Sequence, residues 1–339
     1  MDSIFKFSST LCTSGKGWSI LTFLYSLVPV FSWVGLSSGI MAMFLACVLT
    51  MVLMLIGVAF FIVLERKGLG IVQLRHGPNK PSLKGILQAV ADGLKLLSKG
   101  LVLPFKANIG LFVFGPLLLF ILSFSLWIIF PSGFPSFYLK YGLFFFLAVS
   151  ACNVFGLIVC GWSSNSSYAM LGSMRAVAQS ISYEVSMATL LLCPLLFCGG
   201  FDLLKVEESG MFLFGVCGEA GVLWYISILA ETNRAPFDFV EGESELVAGY
   251  HVEMGGFLFA LIALSEYGSM ILMGVMTEVL FFGFSSGGVI CTGLIVGISM
   301  SFILIRGVVP RYRYDMLMDF CWKGVLPLSL CVFVMYLVM

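Results

Sequence analysis

Residues 40–64 read IMAMFLACVLTMVLMLIGVAFFIVL, with no charged side chain in the run. A surface helix of a soluble domain shows a polar stripe with a 3.6-residue period. This stretch shows none. An uncharged apolar run of more than about eighteen residues is long enough to cross the hydrocarbon core of a bilayer as a helix. Comparable runs follow at about 108–130, 141–162, 183–203, 211–232, 254–282, 287–305 and 322–338. In lipid every backbone polar group must be satisfied internally, which at this hydropathy leaves helices as the spanning architecture.

The expected fold is therefore an all-α integral membrane protein with eight transmembrane helices. Composition agrees. The 339 residues are 60% hydrophobic and 11% charged, where globular domains carry about 25% charge. Mean hydropathy is +1.07. A soluble multi-domain enzyme is excluded. A formal net charge of zero gives no basic surface for nucleic acid. The ten cysteines include no CxxC pair and lie mostly within apolar runs, where they read as small buried hydrophobes. His76 and His251 are too isolated to point to a metal. No Rossmann or P-loop pattern is present, so no redox cofactor or nucleotide is expected on this chain.

Two units are expected: a hydrophobic N-terminal extension, 1–39, and a polytopic membrane domain, 40–339. Within the extension, WSILTFLYSLVPVFSWVGL (18–36) is a candidate ninth membrane segment, interrupted by Pro29. It lacks the small-residue cleavage site of a secretory signal.

Charge orients the spans. Loops 65–107, 163–182, 233–253 and 306–323 share one side and hold fourteen Lys and Arg, whereas the opposite loops hold only Lys140 and Lys205. The positive-inside rule places the long loops on the cytoplasmic or matrix side. Within the first of them, SLKGILQAVADGLKLLSKG (82–100) repeats Leu83, Ile86, Leu87, Val90, Leu94 and Leu97 at spacings of three and four. That is the pattern of an interfacial amphipathic helix; 168–182 shows it more weakly. Such a helix either roofs a cavity or simply anchors the loop at the membrane surface.

Ionisable side chains inside a span cost about 2.5–3.5 kcal/mol on insertion scales, and a functional site is the default reading of each. Glu184 opens the fourth span, Glu231 closes the fifth, and Glu266 lies in the sixth; Glu219 and Glu278 sit near the opposite surface. Arg234, one turn beyond Glu231, is the expected partner of that carboxylate. Pro236 then stops the helix. Six of the eighteen acids lie between Glu231 and Glu253, among them Asp238, Glu241, Glu243 and Glu245. Phe237, Phe239, Val240, Leu246, Val247 and Tyr250 interleave them. Mixed acid and bulky apolar residues suit a loop folded into a polar, partly enclosed cavity or a subunit interface. A chain of such groups near water can pass protons.

Five stretches together resemble one family: LERKGLGIVQLRHGPNK (64–80), ADGLKLLSK (91–99), GWSSNSSYAMLGSMRAVAQSISYEV (161–185), AETNRAPFDFVEGESELVAGYHVEMGG (230–256) and PRYRYDMLMDFCWKGVLPLSL (310–330). They are similar to subunit 1 of the proton-pumping NADH–ubiquinone oxidoreductase, respiratory complex I, over roughly 60–339, and to its mitochondrial members more than its chloroplast ones. The resemblance implies eight transmembrane helices at the junction of the membrane and peripheral arms of the complex. It also implies walls for a ubiquinone chamber and a mitochondrial inner-membrane location. The partners it implies are the other membrane-arm and peripheral-arm subunits and lipids. FMN and iron–sulfur clusters would reside in other subunits.

Residue by residue, the resemblance implies coupling or proton-relay roles for Glu184, Glu231, Arg234, Asp238, Glu241, Glu243, Glu245, Glu253 and Glu266. It places Arg66, Asp92 and Phe237 at the quinone chamber. Met254 stands where the family usually has tyrosine, and Glu278 has no counterpart. Two other readings stay open from the residues alone: a stand-alone proton or ion transporter, and the membrane subunit of a related hydrogenase. A transporter favours an internal repeat or paired broken helices, and the chain shows neither.

Overall fold

The computed structural model describes residues 39–80, 85–131, 139–209, 212–238, 249–283 and 289–338. The candidate segment 18–36 and the acids Glu241, Glu243 and Glu245 lie outside the described residues.

All described regular structure is helical. In chain order the helices are α1 (Gly39–Val72), α2 (Gln88–Ser98), α3 (Ile109–Ser125, prolonged by a 3-10 turn to Ile129), α4 (Gly142–Ser163) and α5 (Ser167–Cys198). There follow α6 (Leu203–Ser209), α7 (Gly218–Glu231), α8 (Phe257–Thr277, with a π turn to Phe282), α9 (Val289–Val308), α10 (Tyr314–Asp319) and α11 (Leu326–Val338). A π turn, Phe320–Val325, joins α10 to α11. Among the described residues, seven continuous helical stretches are long and apolar enough to span. The expected fifth span is shorter than its hydropathy implied. Its first half folds as a 3-10 turn, Leu213–Gly215, and α7 has only 14 residues. At 1.5 Å per residue that is about 21 Å, short of the ~30 Å hydrocarbon core. α7 nevertheless runs between the same two ends of the bundle as its neighbours.

Two more boundaries differ from expectation. The sequence between 168 and 182 is not a separate interfacial helix. It is the first half of α5, a single 32-residue helix, about 48 Å long. Small residues of the segment, Ala169, Gly172, Ser173 and Ala176, pack against α4 and the turn at 249–251, while Tyr168, Leu171, Met174 and Ile181 face outward. The last span begins at Tyr314 rather than 322, because the loop before it winds into α10.

α5 is the axis of the fold. It packs against α4, α7 and α11, and α8 packs against α3, α1 and α9. Tyr183, Met187, Leu190 and Leu191 of α5 are buried with Trp224 and Ile228 of α7 and Phe281. Outward-facing surfaces are apolar instead: Leu45, Val48, Val52, Ile56, Phe60 and Leu64 recur at helical spacing along α1 and are all exposed. Such a stripe suits hydrocarbon, not water.

The chain ends of the positively charged loops meet at one end of the bundle. Asn108 N donates to Ser163 O at 3.0 Å, and Tyr312 N to Pro236 O at 3.1 Å. Asn165 Nδ2 donates to Lys106 O at 3.3 Å. At the other end Leu143 N donates to Phe201 O at 3.3 Å, and Phe212, Phe214 and Phe282 pack ring against ring. This is the alternation that the charge distribution requires. α2 lies at the charged end with no buried residue. Val90, Leu94 and Leu97 face outward while Asp92, on the other face, holds Arg66 of α1.

Candidate functional site: a buried ion network and an acid-lined cavity

α7 stops at Glu231, three residues before the point expected from Pro236. Thr232 Oγ1 bonds back to Ile228 O at 2.9 Å. Asn233 then takes a left-handed backbone, φ 51°, a role asparagine fills at helix C-termini. The loop that follows is fixed from two sides. Gln179 of α5 is fully buried, and its Nε2 donates to Ala230 O at 2.8 Å and Phe237 O at 3.0 Å. Pro236 O accepts from Tyr312 N.

Arg234 does not pair with Glu231. It reaches Glu65 at the charged end of α1, Nη1 to Oε1 at 3.2 Å. Arg306, at the end of α9, bonds the same oxygen. Tyr267 of α8 donates to Glu65 Oε2 at 2.5 Å, and the Arg234 guanidinium sits 4.4 Å from the Tyr267 ring centre. Side-chain exposure is 6% for Glu65 and 10% for Arg234. One buried carboxylate thus ties together α1, α8, α9 and the loop after α7. Glu65, Tyr267 and Arg306 were not singled out from sequence. Their signal was an acid beside Arg66 at the close of the first span.

Glu231 faces a cavity instead. The cavity has a volume of about 70 Å³ and lies among α3, α4, α5, α7 and α8. Ser123, Ser150, Asn153, Ser180, Asn233, Ser265 and Ser269 line it together with Glu231, Glu266 and Tyr250. The chemistry of this lining is one-sided. Each of the five serines donates its hydroxyl to the carbonyl three residues earlier in its own helix. Their remaining capacity is as acceptors. Asn153 Oδ1, Asn233 Oδ1 and Glu231 Oε2 are buried acceptors without a protein partner among the described residues. A cavity of this size holds roughly five waters, at about 10–15 Å³ of probe volume each. A lining rich in acceptors suits hydrogen-bond donors, water among them.

Glu266 forms the opposite wall. Tyr250 Oη donates to its Oε1 at 2.7 Å, and His251 Nε2 lies 3.3 Å from the same oxygen. Glu184 is half-buried on α5, close enough to Glu231 for the two charges to interact. Glu253 is half-buried beside the turn at 249–251. Asp238 is 4% exposed and faces Arg311 at 3.8 Å. Phe237 is buried between Tyr183 and Tyr312. Arg66 and Asp92, both expected at one chamber, are joined by a 2.7 Å ion pair. Met254 is buried in an apolar cluster with Tyr250, Leu258 and Ile262. Glu219 and Glu278 lie on the far side, at the start of α7 and the end of α8.

Fold and site together define a polytopic helical membrane protein that keeps a compensated ion network and an acid-walled cavity, with space for a few waters, inside its bundle. The family model described as NADH dehydrogenase matches residues 45–337, and the chain belongs to that family. Similar proteins include the NADH-ubiquinone oxidoreductase chain 1 of Aedes aegypti, 42% identical over 284 residues, covering 83% of this chain and 91% of the other. The chain of that name from Branchiostoma lanceolatum is 44% identical over 282 residues, with 81% and 89% covered. That from Salmo salar is 44% identical over 292 residues, with 84% and 90% covered.

Proposed function

We propose that this chain is the core membrane subunit of a proton-pumping NADH:ubiquinone oxidoreductase, where it walls part of the quinone chamber and carries the first links between quinone reduction and proton movement. The NADH-oxidising activity belongs to the whole complex. Electrons come from FMN and iron–sulfur clusters held by other subunits. This chain assembles with those peripheral-arm subunits, with the remaining membrane-arm subunits and with lipids, in the mitochondrial inner membrane.

The observation that carries the coupling role is the cavity between Glu231 and Glu266. Serine and asparagine acceptors surround a space for a few waters, and a carboxylate stands on either wall. Such a chain of acceptors lets a proton move between the two acids by short hops. Glu184, beside Glu231, extends the series. Protonation of one acid then alters its neighbours, since interacting carboxylates titrate as a set. Asp238, Glu241, Glu243, Glu245 and Glu253, which follow Arg234 in sequence, are further members of the series. Arg66, Asp92 and Phe237 serve at the quinone-facing side of the charged end of the bundle. Reduction of ubiquinone there draws in protons and negative charge, and the acidic loop passes that change on to Glu231.

The test is purification of the native assembly through this chain. Flavin, iron–sulfur clusters and quinone-linked NADH oxidation should copurify. Within that assembly, Glu231→Gln and Glu266→Gln should each slow quinone-linked turnover severalfold. Normal turnover and pumping in both variants would remove the relay role.

A further inference from the structure

Two nitrogens of one buried imidazole are treated very differently. His251 ends the 3-10 turn Gly249–His251, which sits directly on α5. A Cβ on Gly172 would come 2.8 Å from Gly249 Cα. The imidazole side chain is 5% exposed. Its ring stands 3.7 Å from that of Tyr250 and meets Phe259 edge-on at 6.1 Å. Nε2 points at Glu266 Oε1. Nδ1 is buried and has no hydrogen-bond partner among the described residues.

Nε2 opposite a carboxylate is satisfied when it carries the hydrogen. Nδ1 is then the bare acceptor, and an unsatisfied buried acceptor costs about 1–3 kcal/mol. That atom wants a proton or a water to donate to it. We propose that His251 is a proton-transfer residue for Glu266, taking a proton from a water at Nδ1 and giving its Nε2 proton to Glu266 Oε1. This rests on the relay reading of Glu266 given above.

The step balances. One proton arrives at Nδ1 and makes the imidazolium. The Nε2–H bond breaks as an O–H bond forms on Glu266, and the ring returns to neutral with its hydrogen on Nδ1. Rotation of the ring or exchange of the hydrogen through water restores the first tautomer. No oxidant or reductant is needed. Histidine suits the task because both nitrogens bind protons and only one faces the acid. Tyr250 holds Glu266 Oε1 in place during the exchange.

A histidine that merely props Glu266 needs only one donor, which an amide supplies. His251→Asn and His251→Gln in the assembled complex therefore separate the two roles. Assembly is normalised by NADH oxidation with an artificial acceptor in the peripheral arm. The expected result is a quinone-linked turnover about fivefold or more below the parent in both amide variants, as for loss of a proton-transfer group. In His251→Ala, added imidazole should restore at least half of the lost rate. The double variant His251→Asn/Glu266→Gln should be no slower than Glu266→Gln alone, since both act in one path. Parental turnover in His251→Asn, multiplied losses in the double variant, or no imidazole rescue of an assembled His251→Ala complex would each overturn the proposal. If the alanine variant does not assemble, the amide variants and the double variant decide. Normal turnover in Glu266→Gln would remove the relay reading itself. A slow Glu266→Gln beside a normal His251→Asn would remove only this inference.

Discussion

Replacing Glu65 by glutamine keeps the side chain's size but removes the one negative charge that both Arg234 and Arg306 face. With an effective dielectric of 20 a unit pair at 3.2 Å is worth about 5 kcal/mol of Coulomb energy, and part of that is offset by the desolvation of both partners. The measured consequence of breaking a buried pair is about 3–5 kcal/mol, because the remaining charge is stranded. Here two guanidinium groups are left facing one another. Arg306 is 30% exposed and turns outward more easily than Arg234. The expected loss therefore falls at the lower half of that range, about 3–4 kcal/mol, or two to three powers of ten in the equilibrium. The four elements joined at Glu65 should loosen together. The assay is the amount of assembled complex on a native gel, with its heat-inactivation midpoint. Glu65→Gln should lower both clearly. Arg306→Gln should cost much less, since Glu65 keeps Arg234 and Tyr267. Glu65→Gln combined with Arg234→Gln should recover part of the loss, because no buried charge is then unpaired. Normal assembly and an unchanged midpoint in Glu65→Gln would refute the account of a compensated buried network.

Further outcomes are expected. Arg234→Ala should impair assembly and turnover more than Glu231→Gln, because it removes the more buried of the two cations on Glu65 together with the packing on Tyr267, whereas Glu231 has no cation partner among the described residues; the two are compared by quinone-linked NADH oxidation per assembled complex. Glu241→Gln or Glu243→Gln should slow quinone-linked turnover severalfold while NADH oxidation by an artificial acceptor continues; a purely solvated loop would change stability by only about 0.5 kcal/mol and leave turnover intact. Asp92→Asn breaks a half-exposed ion pair with Arg66, worth at most about 1 kcal/mol, so assembly should hold while the KM for quinone rises. Single cysteines at Lys99 and Lys205 should label from opposite faces of the membrane, Lys99 from the matrix; labelling of both from one face would undo the charge-based orientation.

The spans were legible because lipid leaves the sequence little freedom. A helix such as α1 must be apolar along its whole length, so its presence follows from the letters alone. Ends were less legible, and for identifiable reasons. Hydropathy over 211–232 does not register that Gly215 and Gly218 flank the start of α7, so a short helix read as a long span. Serine and alanine between 168 and 182 resemble a weak amphipathic surface, yet they pack against α4 and the 249–251 turn as part of α5. The acids were visible one by one, because charge inside an apolar run stands out. Their pairing was not visible. Arg234 lies three residues from Glu231 in sequence, and local spacing favours that pair. Tertiary packing instead brings α1 within 3.2 Å, and Glu65 is 169 positions away. The same holds for His251, which looks isolated on paper because its partner, Glu266, lies on the next helix. Sequence spacing identifies which residues are costly to bury, whereas only the bundle determines which of them neutralise one another. The division of labour follows from that. Glu65 is surrounded by cations and holds the helices together. Glu231, with no cation partner among the described residues, faces a cavity lined by serine and asparagine oxygens, and in the proposed relay it is this carboxyl that exchanges the proton.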